Sequence, residues 1–191
     1  MRTILLTGFG PFPGVEHNPS GAVARALAAR QGVPGVRLCG AVLDTSYARA
    51  PAQLQQALDL QRPWAVLSLG VAPGDQLRLE GVARNLDSAR GPDVDGVVRA
   101  GLPIRPGGAS TLTSRLPLGA FAHALAAGGW AARPSEDAGG YLCNHLFYEL
   151  LCRHPGGPAG FVHVPALGPG WDLARLEAAT GALLQVLARE P

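Results

Sequence analysis

Short, almost wholly apolar runs alternate with helical patterns along most of this 191-residue chain, and that alternation limits its fold more than any other feature. Arg2 to Thr7 (RTILLT), Val36 to Leu43 and Trp64 to Gly70 (WAVLSLG) have the length and composition of buried strands. An alanine-rich helix from Pro19 to about Arg30 and a second helix from Ala48 to Leu60 lie between them. Strands that alternate with helices favour an α/β fold with a parallel core.

The second half of the chain begins with an irregular segment and then resumes the alternation. Val71 to Pro106 reads as loops and short strands, and long irregular segments in compact domains are often functional. A helix near Leu118 to Ala127, a short strand at about Trp130 and a strand from Gly160 to Val164 follow. The last predicted helix has Asp172 near its start. It places four leucines on one face, which should pack on the sheet: Leu176, Leu183, Leu184 and Leu187.

Composition excludes several classes of protein. With 47% hydrophobic residues, the chain can bury one sizeable core, and we expect a single domain over residues 1–191. A net charge of +2 with scattered basic residues does not suit a nucleic-acid binder. No apolar run is long enough for a signal peptide or a membrane span, so we expect no membrane partner and a cytosolic location. Three widely spaced cysteines suit reduced thiols in that compartment.

Cys143 lies in the segment DAGGYLCNHLFY, where small residues lead into a helical pattern. A thiol at the start of a helix is close to unpaired N–H groups and the positive end of the helix dipole, which stabilise its anionic form. Thiols in such positions can have pKa values of roughly 3.5–7.5. His163 lies in the next apolar run, GFVHVP. A thiol and an imidazole on neighbouring elements suggest nucleophilic catalysis.

The other cysteines and histidines favour simpler interpretations. Cys39, in a strand, and Cys152, late in a helix, read as small buried hydrophobic residues. His145 and His154 form C-x-H pairs with Cys143 and Cys152, but residues two apart on one helix point to different faces. These pairs therefore do not predict a metal site, and we interpret both histidines as structural or exposed.

The loop from Gly8 to Gly14 follows the first strand, as a dinucleotide-binding turn would. It is not GxGxxG, and Pro11 and Pro13 would prevent a helix from starting beneath a phosphate, so nucleotide binding is disfavoured. Phe9 and Phe12 either line an apolar pocket or are ordinary core aromatics. Spacing alone does not separate these two interpretations.

Several motifs together resemble one enzyme family. DAGGYLCNHLFYELL and GFVHVPALGPG resemble the cysteine and histidine motifs of pyroglutamyl peptidase I, also called pyrrolidone-carboxylate peptidase. TGFGPFPGVEHNPS is similar to the family's N-terminal motif, and LGVAPG and EGVARNLDSARGPDVDG are similar to its glycine turn and ERVAIN-x-x-x-ARIPDN block. The motifs occur in family order from Leu6 to about Pro169.

The resemblance implies a cysteine peptidase that removes N-terminal pyroglutamate from peptides through an acyl-enzyme, without a cofactor or metal. The nucleophile maps to Cys143, the base to His163 and the acidic member of the triad to Glu80. The implied fold is a single-domain, three-layer αβα arrangement with a mixed, mostly parallel central sheet flanked by helices. The implied partners are pyroglutamyl peptides and copies of the same chain, commonly in a homotetramer.

The resemblance also implies a pocket for a flat, uncharged lactam ring. Phe9 and Phe12 match the family's ring-binding aromatics, and Tyr141 and Leu142 precede the nucleophile as wall residues. Arg90 matches the ARIPDN block and is expected to assist at the oxyanion. Asn18 matches the NPS asparagine, and it either binds substrate or caps the helix that Pro19 opens.

Three departures from the family pattern fall near Glu80. Val71 stands where the family usually has a glutamine, Gly81 replaces the arginine of ERVAIN, and Asp93-Val94 ends the PDN motif. One residue is also missing between Gly70 and Glu80. These changes leave two alternatives to the peptidase: a non-catalytic protein that binds N-blocked peptides, and a divergent amidohydrolase that acts on another small amide.

Overall fold

A computed structural model describes residues 1–12, 14–89 and 91–191. Its helices are α1 (Pro19–Arg30), α2 (Arg49–Gln61), α3 (Leu118–Ala127), α4 (Leu142–Arg153) and α5 (Leu173–Arg189). Its strands are β1 (Arg2–Phe9), β2 (Val36–Leu43), β3 (Ala65–Ala72), β4 (Leu77–Glu80), β5 (Val82–Arg84), β6 (Asp87–Ser88), β7 (Ala100–Leu102), β8 (Thr111–Thr113), β9 (Ala132–Ser135) and β10 (Ala159–Pro165). The predicted strand and helix order is confirmed, with most boundaries within two residues.

Six strands form the central sheet in the order β2-β1-β3-β10-β4-β9. The first four strands of this order run parallel to one another, whereas β4 lies antiparallel to β10 and parallel to β9. The remaining strands form two small pairs, β5 with β8 and β6 with β7. The mixed, mostly parallel sheet that the resemblance implied is therefore confirmed.

Helices cover both faces of the sheet. Side chains of α1, α3 and α5 share one apolar cluster with β1, β3 and β10, and side chains of α2 and α4 share the other. Strand β10 contributes to both, since Val162 and Val164 belong to the first cluster and Phe161 to the second. This two-sided burial explains why its sequence is apolar without alternation. The four leucines predicted on α5 are fully buried in the first cluster.

The N-terminal motif fixes the junction between β1 and α1. The Asn18 side chain accepts a hydrogen bond from the Ser20 N–H and caps α1, and Pro19 occupies its first turn, as predicted. Gly8 permits the close packing of β1 on this helix, because a Cβ there would lie 2.2 Å from the Ser20 carbonyl oxygen. Helix α5 is capped in the same way, by Asp172.

One sequence prediction differs from the structure. The strand expected at about Trp130 begins at Ala132, because the Trp130 N–H bonds back to Leu125 and closes the end of α3 around Gly129, which has a φ of +72°. Leu77–Glu80 lies in the segment predicted to hold loops and short strands, and it is a strand of the central sheet. None of the described helices has the length and apolarity needed to span a membrane.

Candidate active site

Glu80 and His163 are brought together by the antiparallel pairing of β4 with β10. In this register Glu80 lies opposite Phe161, so His163, two residues further along the same face, is its diagonal neighbour. Glu80 Oε1 lies 2.7 Å from His163 Nδ1, and both side chains are buried. Because the carboxylate accepts, we assign the hydrogen to Nδ1, which leaves Nε2 for the thiol.

Cys143 approaches the same imidazole from α4. The helix starts at Leu142, one residue before the cysteine, and Tyr141 is its N-cap residue. No described side chain caps this end of the helix, so its first-turn N–H groups remain available. The Cys143 sulfur lies beside Gly70, the register partner of His163 on the neighbouring strand, and Cys143 contributes to the raised pKa of that histidine. The structure therefore places the three residues predicted as a triad close together, with Glu80 hydrogen-bonded to His163.

The charge state of His163 follows from its surroundings. Burial alone lowers the pKa of this histidine, but the Cys143 thiolate and the Glu80 carboxylate outweigh burial and raise the pKa to about 9. An imidazolium is therefore favoured at position 163 at neutral pH. An imidazolium close to a cysteine can act as a proton donor in nucleophilic catalysis.

Gly70 makes room for the sulfur. It lies beside His163 in the register of β3 with β10, and a Cβ at this position would lie 2.8 Å from Cys143 Sγ and 2.7 Å from Phe161 Cζ. Real Cβ atoms essentially never approach other atoms this closely. Any residue larger than glycine at this position of the LGVAPG motif would therefore collide with its neighbours, a constraint that the sequence context did not indicate.

We expect Gly70→Ala to remove most of the activity, because the new methyl group displaces the sulfur from His163. Overpacking at such a site typically costs ~1–3 kcal/mol, so the free energy of unfolding should also fall. Denaturant unfolding and steady-state kinetics measure the two effects. Gly181→Ala in α5 is the matched control, since a Cβ there meets no atom within 4 Å. Full activity in Gly70→Ala would contradict this steric account.

A small cavity of about 50 Å³ adjoins Cys143. Its lining residues are Phe9, Phe12, Asn18, Thr45, Val71, Tyr141, Leu142 and Cys143. Apart from Arg90, which lies outside the described residues together with Pro13, every residue predicted to bind substrate therefore lines this cavity. Phe9 is a core aromatic as well as a pocket residue, whereas Phe12 is half-buried and lines the pocket. A larger groove of about 380 Å³ shares Phe9 and Asn18 with the cavity but is not lined by Cys143.

Asn18 caps α1 and also lines the cavity, whereas its binding of substrate stays a prediction. Its Oδ1 accepts from the Ser20 N–H and hydroxyl, and its Nδ2 donates to the Gly10 carbonyl at 3.0 Å. These bonds hold the loop between β1 and α1 in place. The same side chain lines the cavity, so capping and pocket formation coincide in one residue.

Hydrogen bonds hold the backbone at two of the positions near Glu80 that depart from the family pattern. Gly81, which lacks the family's arginine side chain, donates its N–H to Ser135 at 2.7 Å and accepts the Ser114 N–H at 2.8 Å. Asp93 is buried and accepts backbone N–H groups from Tyr47, Asp95 and Val97. Burial alone would raise the pKa of Asp93, but these hydrogen bonds outweigh it and lower the pKa. Gly81 and Asp93 are therefore held by backbone hydrogen bonds without the family residues.

Sequence reasoning missed Thr45 and the contacts of His145. Thr45 follows β2, next to β1 in the sheet, and the carboxyl ends of neighbouring parallel strands are where α/β folds bind ligands. That rule could have identified it. His145, interpreted from the sequence as structural or exposed, is buried and lies within hydrogen-bond distance of Asp87. His154 is half-buried and follows the last residue of α4.

Comparison with known proteins agrees with the motifs. The family model described as pyroglutamyl peptidase matches residues 2–174. A pyrrolidone-carboxylate peptidase of Gloeobacter violaceus is 41% identical over 169 residues, which cover 86% of this chain and 82% of that protein. One of Clavibacter michiganensis is 36% identical over 197 residues, which cover 98% and 92%.

Solved structures give the same result for the fold. Pyroglutamyl peptidase I of Bacillus amyloliquefaciens superimposes with a TM-score of 0.94 at 30% identity, over 100% of this chain and 98% of that one. A mutant pyrrolidone carboxyl peptidase of Pyrococcus furiosus gives a TM-score of 0.93 at 28% identity, over 98% and 99%. The sequence motifs, the fold and these relatives agree: the chain belongs to the pyroglutamyl peptidase family.

Proposed function

We propose that this protein is a cysteine omega-peptidase that hydrolyses the amide bond after an N-terminal pyroglutamyl residue. The observation that carries the proposal is the hydrogen bond between Glu80 and His163, with the Cys143 sulfur close to them and next to a small, mainly apolar cavity. A carboxylate that holds an imidazole against a thiol is the arrangement that activates cysteine nucleophiles.

The first half of the reaction forms an acyl-enzyme. The Cys143 thiolate attacks the pyroglutamyl carbonyl carbon, and the carbonyl oxygen takes the electron pair. First-turn N–H groups of α4 stabilise this oxyanion. As the tetrahedral intermediate collapses, the C–N bond breaks and the His163 imidazolium gives its proton to the departing amine.

The second half releases pyroglutamic acid. His163, now neutral, takes a proton from a water molecule, whose oxygen attacks the thioester carbonyl. Collapse of this intermediate breaks the C–S bond and regenerates the thiolate and the imidazolium. Glu80 keeps the ring oriented and stabilises its charged form in both halves of the cycle.

The cavity suits the ring of the proposed substrate. Phe9, Phe12 and Tyr141 supply aromatic walls for a flat lactam, and Thr45 supplies a hydroxyl that can bond to its polar edge. Among the described residues that line the cavity there is no aspartate, glutamate, lysine or arginine. An uncharged lactam therefore fits it better than a free N-terminal glutamate would.

Assembly and location are part of the same proposal. The family resemblance suggests a homotetramer, and exposed apolar side chains between β5 and the end of β7 offer a surface for it: Leu86, Val94, Val97, Val98 and Leu102. The three cysteines are free, which suits action in a reducing cytosol.

Release of the arylamine from a pyroglutamyl-arylamide tests the proposed activity directly. We expect turnover that a thiol alkylating agent abolishes. A panel of other N-blocked arylamides separates this activity from that of a divergent amidohydrolase. Turnover of another blocked amide, but not of the pyroglutamyl compound, would refute the proposed substrate.

Val71 provides a sharper test of ring recognition. It lines the cavity at the position where the family usually carries glutamine. We expect Val71→Gln to lower KM for the pyroglutamyl-arylamide about three- to tenfold, since one added hydrogen bond is worth ~0.5–1.5 kcal/mol. Val71→Met is the control, because it has similar length without the amide. An equal change in both variants would mean that shape, and not hydrogen bonding, limits binding.

A further inference from the structure

Asp87 is the centre of a second buried network near the cavity. Its side chain is fully buried on β6, and its two carboxylate oxygens lie 3.1 and 3.0 Å from His145 Nδ1. Arg99 pairs with the same carboxylate at 2.5 Å. One carboxylate thus ties the helix of the nucleophile to the segment that follows Glu80.

His145 cannot act on the substrate itself. It follows Cys143 by two residues on α4, and residues two apart on a helix point to different faces. It is 6% exposed and does not line the cavity. Any effect of His145 on catalysis must therefore be transmitted through its neighbours.

Aromatic contacts connect His145 to the cavity wall. Its ring packs edge-on against Tyr47, with centroids 5.2 Å apart, and Tyr47 packs edge-on against Tyr141 at 5.8 Å. Arg99 lies over the Tyr47 ring at 5.7 Å. Tyr141 lines the cavity and is fixed at its far end by a hydrogen bond from its hydroxyl to the Pro92 carbonyl.

We infer that Asp87 and His145 are positioning residues that hold Tyr141 in place as a wall of the lactam pocket. Asp87 fixes the imidazole of His145, the imidazole fixes the ring of Tyr47, and that ring supports Tyr141. This inference rests on the proposed function, since it assumes that the cavity binds the pyroglutamyl ring. It predicts an effect on substrate binding that is separate from the Glu80–His163 pair.

The test measures kcat and KM for the pyroglutamyl-arylamide in the full-length protein. We expect His145→Ala to raise KM about five- to tenfold, because the free energy of an edge-on aromatic contact corresponds to a change of this size. The value of kcat should stay within about twofold, because Cys143 does not move. His145→Asn keeps a donor for Asp87 and should recover part of the loss. Tyr47→Leu, which leaves the Asp87–Arg99 pair intact, should raise KM similarly and tests the inference if His145→Ala does not fold.

Glu149→Gln is the matched control. Glu149 is also buried on α4 and pairs with Arg105, from the segment that follows Arg99, but it does not line the cavity. Its substitution should lower the melting temperature without changing KM. Unchanged KM in folded His145→Ala, or an equal rise in Glu149→Gln, would overturn the inference. An inactive wild-type protein would instead refute the proposed function on which the inference rests.

Discussion

Replacement of Cys143 by alanine is expected to lower kcat for a pyroglutamyl-arylamide by at least about 10⁴-fold, the scale seen when a triad nucleophile is removed. The loss follows from the proposed mechanism, because neither His163 nor Glu80 can form the acyl-enzyme in its place. The variant should remain folded, since Cys143 is only half-buried and alanine leaves its neighbours in place. Steady-state kinetics together with circular dichroism measures both outcomes.

The other two cysteines supply the control for Cys143→Ala. Cys39 lies on β2, separated from β10 by β1 and β3, and donates to Gln61, whereas burial raises the pKa of the Cys152 thiol. Cys39→Ala and Cys152→Ala should therefore keep most of the activity. A limiting amount of iodoacetamide at neutral pH should also label Cys143 first. Residual turnover in Cys143→Ala comparable to that of the wild type would refute the assignment of the nucleophile.

Glu80→Gln is expected to reduce kcat by roughly 10²–10⁴-fold, because an amide no longer stabilises the imidazolium. It should also change the pH profile. In the wild-type protein, kcat/KM should fall as the pH rises through about 9, where His163 loses the proton that it gives to the leaving amine. Because Glu80 is one of the groups that raise this pKa, the fall of kcat/KM on the alkaline side should begin at a lower pH in the variant than in the wild type.

Glu177→Gln is the control for that pH shift. Glu177 is also a buried carboxylate, but it pairs with Arg30 on the face of the sheet opposite α4. Its substitution should leave the alkaline limb of the profile in place. An alkaline limb that stays near pH 9 in Glu80→Gln would show that a group other than His163 controls it.

The sequence was sufficient to predict the parallel strands of the sheet and the helices that connect them. Strands such as β3 and β10 are buried on both faces, so their apolar runs are unambiguous, and Asn18 and Asp172 mark helix starts by capping. The place of β4 in the central sheet was not identified, because four residues, LRLE, carry too little periodicity to reveal a position between β10 and β9.

Residues of the site were predictable only in part. Cys143 was identifiable from its position at a helix start, whereas Glu80 and His163 lie 83 positions apart and were paired through family resemblance. Asp87 and Thr45 look like ordinary polar residues in sequence. Their significance comes from long-range contacts that no local pattern encodes.

The pairing of β4 with β10 has a consequence for folding. A thiol next to a helix start can exist in a partly folded chain, but the imidazole gains its carboxylate only when two strands distant in sequence come into register. Contacts of such sequence separation form slowly, since loop closure opposes them. Recovery of activity after dilution from denaturant should therefore follow completion of the sheet and lag behind recovery of helical structure.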